Sequence, residues 1–143
     1  ITTQAKIPLR WEFRDDHIGF NYRMPNINAA LGCAQLENLD KYIASKRAVA
    51  AEYIEHFKNV DGIDFFVEPE NSFSNYWLSA VVLKDKESQL DFLQQTNDNG
   101  VMTRPIWELM NRLPMFENCE NDGLKNTIWF ADRVVNIPSS VRL

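Results

Sequence analysis

Three polar side chains stand immediately before a predicted helix: Asn21, Tyr22 and Arg23 precede Pro25. A helix N-terminus presents free backbone N–H groups and a partial positive charge. An amide and a guanidinium beside it can hold an anion, and an arginine can bind a phosphate through two parallel hydrogen bonds. The alternative is a polar N-terminal cap in which Arg23 pairs with a nearby carboxylate. Spacing alone leaves both interpretations open.

The rest of the chain offers no self-contained catalytic set. His17 and His56 are the only histidines, and neither belongs to a recognisable metal-ligand spacing. The five glycines are dispersed, so the sequence has no glycine-rich phosphate loop. No serine or cysteine stands in a nucleophile-elbow pattern. We therefore expect no metal site and no complete active site in this chain.

Composition and charge place the chain among ordinary globular domains. Its 143 residues are 45% hydrophobic and 24% charged, which argues against disorder. The net charge of −5 argues against the basic surface that nucleic acid requires, and no apolar run reaches the length of a membrane span. Cys33 and Cys119 make no disulfide framework, and we expect no signal peptide. We expect two free thiols in a cytoplasmic protein.

Hydrophobic periodicity predicts the elements that position these side chains. From Pro25 to about Lys58 the apolar spacing is helical. A single helix of that length would be about 50 Å long, which is too long for a compact domain of this size. We expect either a break near residues 39–40 or a half that packs on something outside this chain. The spacing further predicts strands at 63–67, 76–83, 101–107 and 134–137, helices at 86–97 and from 121 or 122 to 132, and a short helix at 115–118.

This order of elements predicts an α+β domain. We expect a small, mostly antiparallel sheet of three or four strands, helices packed on one face, and a long N-terminal helix. Residues 1–24 form an irregular lead-in in this interpretation, and residues 25–143 form the domain. The chain opens without an initiator methionine and closes just after a Pro-Ser-Ser turn, so we expect a piece of a longer protein, although removal of an initiator methionine and a tag would also explain the start. Such a fold hosts many unrelated functions and assigns none by itself.

The residues around the predicted helix start carry a resemblance to a known family. Residues 19–24 (Gly-Phe-Asn-Tyr-Arg-Met) and 28–36 (Asn-Ala-Ala-Leu-Gly-Cys-Ala-Gln-Leu) resemble the signature of the DegT/StrS-type nucleotide-sugar aminotransferases. Residues 103–107 (Thr-Arg-Pro-Ile-Trp) and 136–140 (Asn-Ile-Pro-Ser-Ser) resemble two later elements of that family. The amino-acid sequences of these segments are most similar to the subgroup that includes UDP-bacillosamine and legionaminic-acid pathway aminotransferases. The resemblance covers nearly the whole chain but only the C-terminal part of the family's length.

This resemblance implies the C-terminal small domain of a fold-type-I aminotransferase that depends on pyridoxal 5′-phosphate. Such enzymes are usually homodimers with active sites at the subunit interface. They take an amino group from glutamate and transfer it to the 4-keto carbon of a nucleotide-linked 6-deoxy sugar. The catalytic lysine of the family lies upstream of the signature. The resemblance therefore implies that this chain holds no catalytic residue, binds no cofactor alone and is inactive alone.

The resemblance also assigns roles to individual residues. Asn21 matches the family asparagine that reaches the cofactor phosphate of the partner subunit. Arg23 matches an arginine that contacts a phosphate or diphosphate or else forms a structural ion pair. Tyr22, Arg104 and Trp107 are implied substrate contacts. Packing is the alternative for Tyr22, and Trp107 is otherwise interpreted as a strand residue in the core.

Two further classes of function compete with the enzyme-fragment hypothesis. One is a free-standing α+β module that binds a small metabolite, and the other is a structural dimerisation domain. A self-contained module should cover its apolar faces, whereas a severed domain should leave an apolar patch exposed. Asn111 stands where many relatives have a histidine, which weakens any substrate role at that position.

Overall fold

The computed structural model describes residues 24–142. In chain order its elements are α1 (Asn26–Leu36), α2 (Leu39–Phe57), β1 (Ile63–Phe65), β2 (Ser79–Leu83), α3 (Lys86–Asp98), β3 (Arg104–Pro105), a 3₁₀ turn (Met110–Arg112), α4 (Lys125–Ala131) and β4 (Val134–Ile137). The strands form one sheet in the order β1-β2-β4-β3, and every neighbouring pair is antiparallel. The prediction of a small antiparallel α+β fold is confirmed.

The long N-terminal helical region is interrupted, so the expected break in it is confirmed. α1 and α2 are separated by Glu37 and Asn38, two residues before the expected break. Asn38 has φ −110° and ψ 5°, outside the helical range, and its side-chain amide donates to the carbonyl of Ala34 at 3.1 Å. An asparagine side chain that bonds the backbone competes with helix continuation. This local competition explains where the helix breaks.

No residue of α1 is buried by the part of the chain that the structure describes. Ile27 is 81% exposed and Leu31 is 60% exposed, and Met24 and Leu36 are exposed in the same way. A surface helix normally turns its apolar side chains toward a core. An uncovered apolar surface of this kind is what the enzyme-fragment hypothesis expects and what a self-contained module should avoid.

The core lies on one face of the sheet. The strand register places Phe65 opposite Val81 and Val81 opposite Val135, so these side chains share a face across three strands. Ala50 of α2 and Leu93 of α3 pack against them in the same buried cluster. The expected packing of helices on one face is therefore confirmed for α2 and α3.

Helix α3 is confirmed to within one residue of its predicted bounds. Asp85 caps its N-terminus by accepting a hydrogen bond from the backbone N–H of Ser88 at 2.8 Å, and this bond is the main reason that the pKa of Asp85 is lowered. Gly100, with φ +79°, turns the chain away after the helix. The helix therefore ends where the sequence places the asparagine–glycine pair.

Four other predicted elements are shorter than expected, and the first is β1, which ends at Phe65 and not at residue 67. β2 begins at Ser79 and not at residue 76, because Tyr76 has φ +45°, which a strand does not accommodate. β3 is limited to Arg104–Pro105, since proline lacks the N–H that would continue the ladder. α4 begins at Lys125, because Gly123 and Leu124 both have left-handed φ angles. The predicted short helix at 115–118 is wrong, since these residues form turns, and a 3₁₀ turn lies earlier, at Met110–Arg112.

A buried amide ties α3 to the turn between α4 and β4. Gln89 has 0% of its surface exposed. Its Nε2 donates to the carbonyls of Ala131 (3.0 Å) and Val134 (2.8 Å), and its Oε1 accepts from Nζ of Lys86 (2.8 Å). Both polar atoms of the side chain are thus satisfied, as burial requires. This arrangement fixes the start of the central strand β4.

An ion pair fastens the connection between β1 and β2 onto α2. The guanidinium of Arg47 donates to both carboxylate oxygens of Glu68 at 2.9 and 2.8 Å and to the carbonyl of Ser74 at 2.6 Å. It also lies 4.0 Å from the ring centroid of Phe73. The hydrogen bonds from Arg47, followed by the one from the Ser74 backbone N–H, lower the pKa of Glu68 to about 2. The same pair raises the pKa of Arg47.

We expect the stability of Glu68→Gln to depend less on pH under acidic conditions than the stability of the unchanged chain. The pKa of Glu68 is lower in the folded chain than its ordinary value of 4.5. The carboxylate therefore stabilises the fold fully when the pH is above its ordinary pKa. This contribution is lost as the pH falls through the pKa of the folded chain, over about pH 4.5 to 2. Urea unfolding of the 143-residue chain at several pH values between 7 and 2 should show Glu68→Gln to be less stable at pH 7 and to lose less stability on acidification.

The matched control for this prediction is Glu70→Gln. Glu70 is an exposed carboxylate in the same connection, and the ion pair of Arg47 is with Glu68 and not with Glu70. It should keep the acid dependence of the unchanged chain. If the free energy of unfolding fell equally with pH in the unchanged chain and in Glu68→Gln, the role given to this ion pair would be contradicted.

Candidate functional site

The start of α1 is the first part of the site. Asn21, Tyr22 and Arg23 lie outside the described residues, so their predicted roles stay predictions. The structure does describe the helix start: α1 begins at Asn26 and has Pro25 as its N-cap residue. The helix start is thus confirmed to within one residue.

This helix start fits an anion. Pro25 makes no side-chain cap hydrogen bond, and the first turn of α1 contains no acidic residue. The backbone N–H groups of that turn and the positive end of the helix dipole are therefore not neutralised from within the turn. The phosphate of pyridoxal phosphate is a ligand of the kind that such a terminus accepts.

The edge strand β3 carries the second part of the site. Arg104 is exposed and lies opposite Asn136 of β4 in the strand register. Its guanidinium lies 3.3 Å from the sulfur of Met102. Within residues 24–142, no carboxylate forms an ion pair with it. An exposed arginine in this state is suited to binding phosphate or carboxylate from a ligand.

A buried polar cluster holds the residue before Arg104. Thr103 is buried, and its hydroxyl lies 2.6 Å from that of Thr96 near the end of α3. The side-chain amide of Asn97 donates to the carbonyl of Thr103 at 3.1 Å and to its hydroxyl at 2.8 Å. The backbone at the start of β3 is therefore fixed to α3. Sequence reasoning missed this role, although Thr103 opens the Thr-Arg-Pro element.

Trp107 is not a core residue, so that interpretation was wrong. Its side chain is 66% exposed, while Leu109 and Leu113 anchor the same segment by burial. The ring centroid of Trp107 lies 6.4 Å from that of Trp77, with 33° between the ring planes. Trp77 is 65% exposed and comes from the connection before β2. No sequence pattern indicates this pair, because Trp77 falls in an apolar run predicted as strand.

Asn111 follows Trp107 on the same segment. Its side-chain oxygen is buried and has no hydrogen-bond partner within the described part of the chain. An unsatisfied buried acceptor costs stability and is uncommon in folded proteins. Within residues 24–142 no hydrogen bond joins Asn111 to Arg104, and the weak expectation for a substrate role there gains no support.

Other chemical features are few in residues 24–142. No three histidine, cysteine or acidic side chains in this range lie together in a way that could hold a metal ion. Cys33 and Cys119 are both free and exposed. No helix in the described range is long and apolar enough to cross a membrane.

Comparison with known proteins gives a family match and several relatives. The sequence profile of the DegT/DnrJ/EryC1/StrS aminotransferase family matches residues 6–143. EpsN of Bacillus subtilis (strain 168) is 32% identical over 117 residues, which are 82% of this chain and 30% of EpsN. GDP-perosamine synthase of Escherichia coli O157:H7 is 30% identical over 129 residues, which are 90% of this chain and 34% of the synthase. This chain thus spans about a third of the length of these relatives.

A solved structure gives the same fold. PseC of Helicobacter pylori, an aminotransferase involved in the biosynthesis of pseudoaminic acid, matches with a TM-score of 0.74 at 17% identity. The match covers 94% of this chain and 37% of PseC. The chain therefore has the fold of one region of the fold-type-I sugar aminotransferases. Enzymes of this class depend on pyridoxal phosphate. Because the family profile matches nearly every residue, the chain belongs to the DegT/DnrJ/EryC1/StrS aminotransferase family.

Proposed function

We propose that this chain is the C-terminal part of an aminotransferase that moves an amino group from glutamate to the 4-keto carbon of a nucleotide-linked 6-deoxy sugar. The observation that carries the proposal is the start of α1 at Asn26, which has no side-chain cap among the described residues and lies three residues after the Asn21-Tyr22-Arg23 sequence. Residues 1–24 are the lead-in that bears this sequence, and residues 25–143 are the small domain. Family membership supports the type of reaction.

The helix start is the cofactor end of the proposed site. Asn21 and Arg23 precede the free N–H groups of α1, and together they would hold the phosphate of pyridoxal phosphate. The amide of Asn21 donates one hydrogen bond to a phosphate oxygen, and the guanidinium of Arg23 adds positive charge. When bound, pyridoxal phosphate supplies the electron sink that amino transfer requires. In the homodimer we propose, the phosphate belongs to the partner subunit's cofactor.

The edge of the sheet is the substrate end of the proposed site. Arg104 presents a guanidinium from a backbone that Thr103 fixes, and this arrangement suits a diphosphate. Trp107 presents an exposed ring three residues later, and Tyr22 adds a phenol from the lead-in. These residues bind and orient the nucleotide sugar. They exchange no proton with it.

The specific substrate is a UDP-linked sugar of the bacillosamine type. The amino-acid sequences of residues 19–24, 103–107 and 136–140 support this choice over other nucleotide sugars. Relatives in the same family carry the names GDP-perosamine synthase and dTDP-4-amino-4,6-dideoxy-D-glucose transaminase, so the nucleotide varies within the family. We place the whole enzyme in the cytoplasm, where nucleotide sugars and glutamate are available.

We expect Asn21→Ala in the full-length enzyme to weaken cofactor retention about tenfold or more, because it removes a hydrogen bond to a charged phosphate. Bound cofactor is measured by its absorbance band after dialysis against cofactor-free buffer. Asn59→Ala is the matched control, since it deletes the same amide at an exposed position beyond the end of α2. Equal retention in Asn21→Ala and the unchanged enzyme would remove the phosphate role.

The 143-residue chain alone provides a second test. It should show no absorbance band of bound cofactor and no transamination, because the family's lysine lies upstream of the signature. Either signal from the chain alone would contradict the proposal that it is an inactive part of a longer enzyme.

A further inference from the structure

Trp77 combines a fixed backbone with an exposed side chain. Its carbonyl oxygen accepts hydrogen bonds from Nζ of Lys46 at 3.1 Å and from the hydroxyl of Ser139 at 3.2 Å. Its backbone N–H donates to the side-chain oxygen of Asn75 at 2.9 Å. Donors from α2 and from the segment after β4 thus hold a residue whose indole is 65% exposed. The arrangement therefore holds the indole at the surface of the described residues.

The backbone just before Trp77 is strained. Tyr76 has φ +45°, a left-handed conformation that bulky residues rarely adopt. Its ring is buried, and its hydroxyl accepts a hydrogen bond from the backbone N–H of Glu68 at 3.3 Å. Strained backbone of this kind persists only where the surrounding contacts enforce it, and it is concentrated at binding sites. The strain redirects the chain so that Trp77 points away from the core that Tyr76 joins.

Trp77 and Trp107 meet although 30 residues separate them in the sequence. Their ring centroids are 6.4 Å apart, and the planes are inclined by 33°. Together they present two planar π surfaces that the described residues leave about two-thirds exposed. Arg104 stands three residues before Trp107, at most about 11 Å away along the chain. A guanidinium on the same segment as one of two paired indoles offers a positive charge for a diphosphate and a flat surface for a base.

We infer that Trp77 and Trp107 form a stacking platform for the base of a nucleoside diphosphate, with Arg104 on the diphosphate. The inference rests on the proposed function and deepens it, since it adds Trp77 to the site and names the part of the substrate that it binds. Stacking is tolerant of base identity because every base has a π face. The platform therefore contributes affinity, and it leaves discrimination among bases to other residues.

The test uses the full-length enzyme and titrates UDP, GDP and dTDP by calorimetry. Trp77→Ala should weaken binding of all three by about tenfold, which is the lower range for one stacked ring. Trp77→Phe should restore most of the affinity, because it keeps an aromatic face. Trp129→Ala is the matched control: Trp129 is also exposed, but it lies on α4 against Phe130 and Arg133. It should bind like the unchanged enzyme.

Two outcomes would overturn the inference. One is unchanged binding of the nucleoside diphosphates by Trp77→Ala. The other is a change of oligomeric state in Trp77→Ala, measured by light scattering, which would assign the indoles to a contact between subunits. The glutamate half-reaction, followed by the absorbance of the cofactor, should stay unchanged in Trp77→Ala. If the unchanged enzyme lacks that half-reaction, the proposed function fails, and the titrations still decide whether the platform binds a base.

Discussion

Leu93→Ala should lower the free energy of unfolding of the 143-residue chain by about 3 kcal/mol, a change of more than a hundredfold in the folding equilibrium. Leu93 is 1% exposed and lies on α3, within the cluster that includes Val81 and Val135 of the sheet. Removing its side chain loses apolar burial and leaves a cavity that β2 and β4 cannot close without moving. Urea unfolding, followed by circular dichroism, measures the change.

Ser79→Ala is the matched control for the substitution of Leu93. Ser79 is as buried as Leu93, but its hydroxyl has no hydrogen-bond partner among the described residues. Removing an unsatisfied buried hydroxyl should leave stability unchanged or raise it. If the two variants lost similar stability, the sheet face that Leu93 covers would not be the core.

Arg104→Met in the full-length enzyme should raise KM for the nucleotide sugar about tenfold to a hundredfold. The substitution keeps an apolar stem and removes the charge-assisted hydrogen bonds that we assign to the diphosphate. The KM for glutamate should stay near that of the unchanged enzyme, because Arg104 is assigned to the nucleotide. Steady-state kinetics with each substrate varied in turn measure both values.

Arg112→Met is the control for the charge of Arg104. Arg112 lies in the 3₁₀ turn eight residues later and pairs with Glu108 at 3.3 Å. Its substitution removes the same charge from the same segment and should leave both KM values unchanged. Equal effects from the two substitutions would point to a general electrostatic attraction and not to a bound diphosphate at Arg104.

The sequence was sufficient for the elements with strong local signals. α3 has an aspartate cap and an asparagine–glycine end, and its observed bounds differ by one residue from those predicted. β4 was predicted at 134–137 and is observed there. The signature at residues 19–24 and the later Thr-Arg-Pro element predicted the family, which the profile match confirms. These features are determined by residues that are close in the chain, so they can be recognised in a single sequence.

The parts that the sequence missed depend on residues that are distant in the chain. The strand predicted from residue 76 starts at Ser79, because tertiary contacts hold Tyr76 in a left-handed conformation that its residue type disfavours. Trp77 looked like a strand residue, and its pairing with Trp107 depends on how two loops meet in space. Thr103 is polar and buried because Asn97 and Thr96 of α3 surround it. No local pattern records any of these contacts.

The most direct test of the proposed function is an amino-transfer assay with the full-length protein that contains this chain. The purified protein is loaded with pyridoxal phosphate and given glutamate together with a UDP-linked 4-keto-6-deoxy sugar. We predict equimolar formation of 2-oxoglutarate and the 4-amino sugar nucleotide, identified by mass spectrometry. A protein that retains the cofactor but forms neither product with UDP-, GDP- or dTDP-linked 4-keto sugars would contradict the assignment.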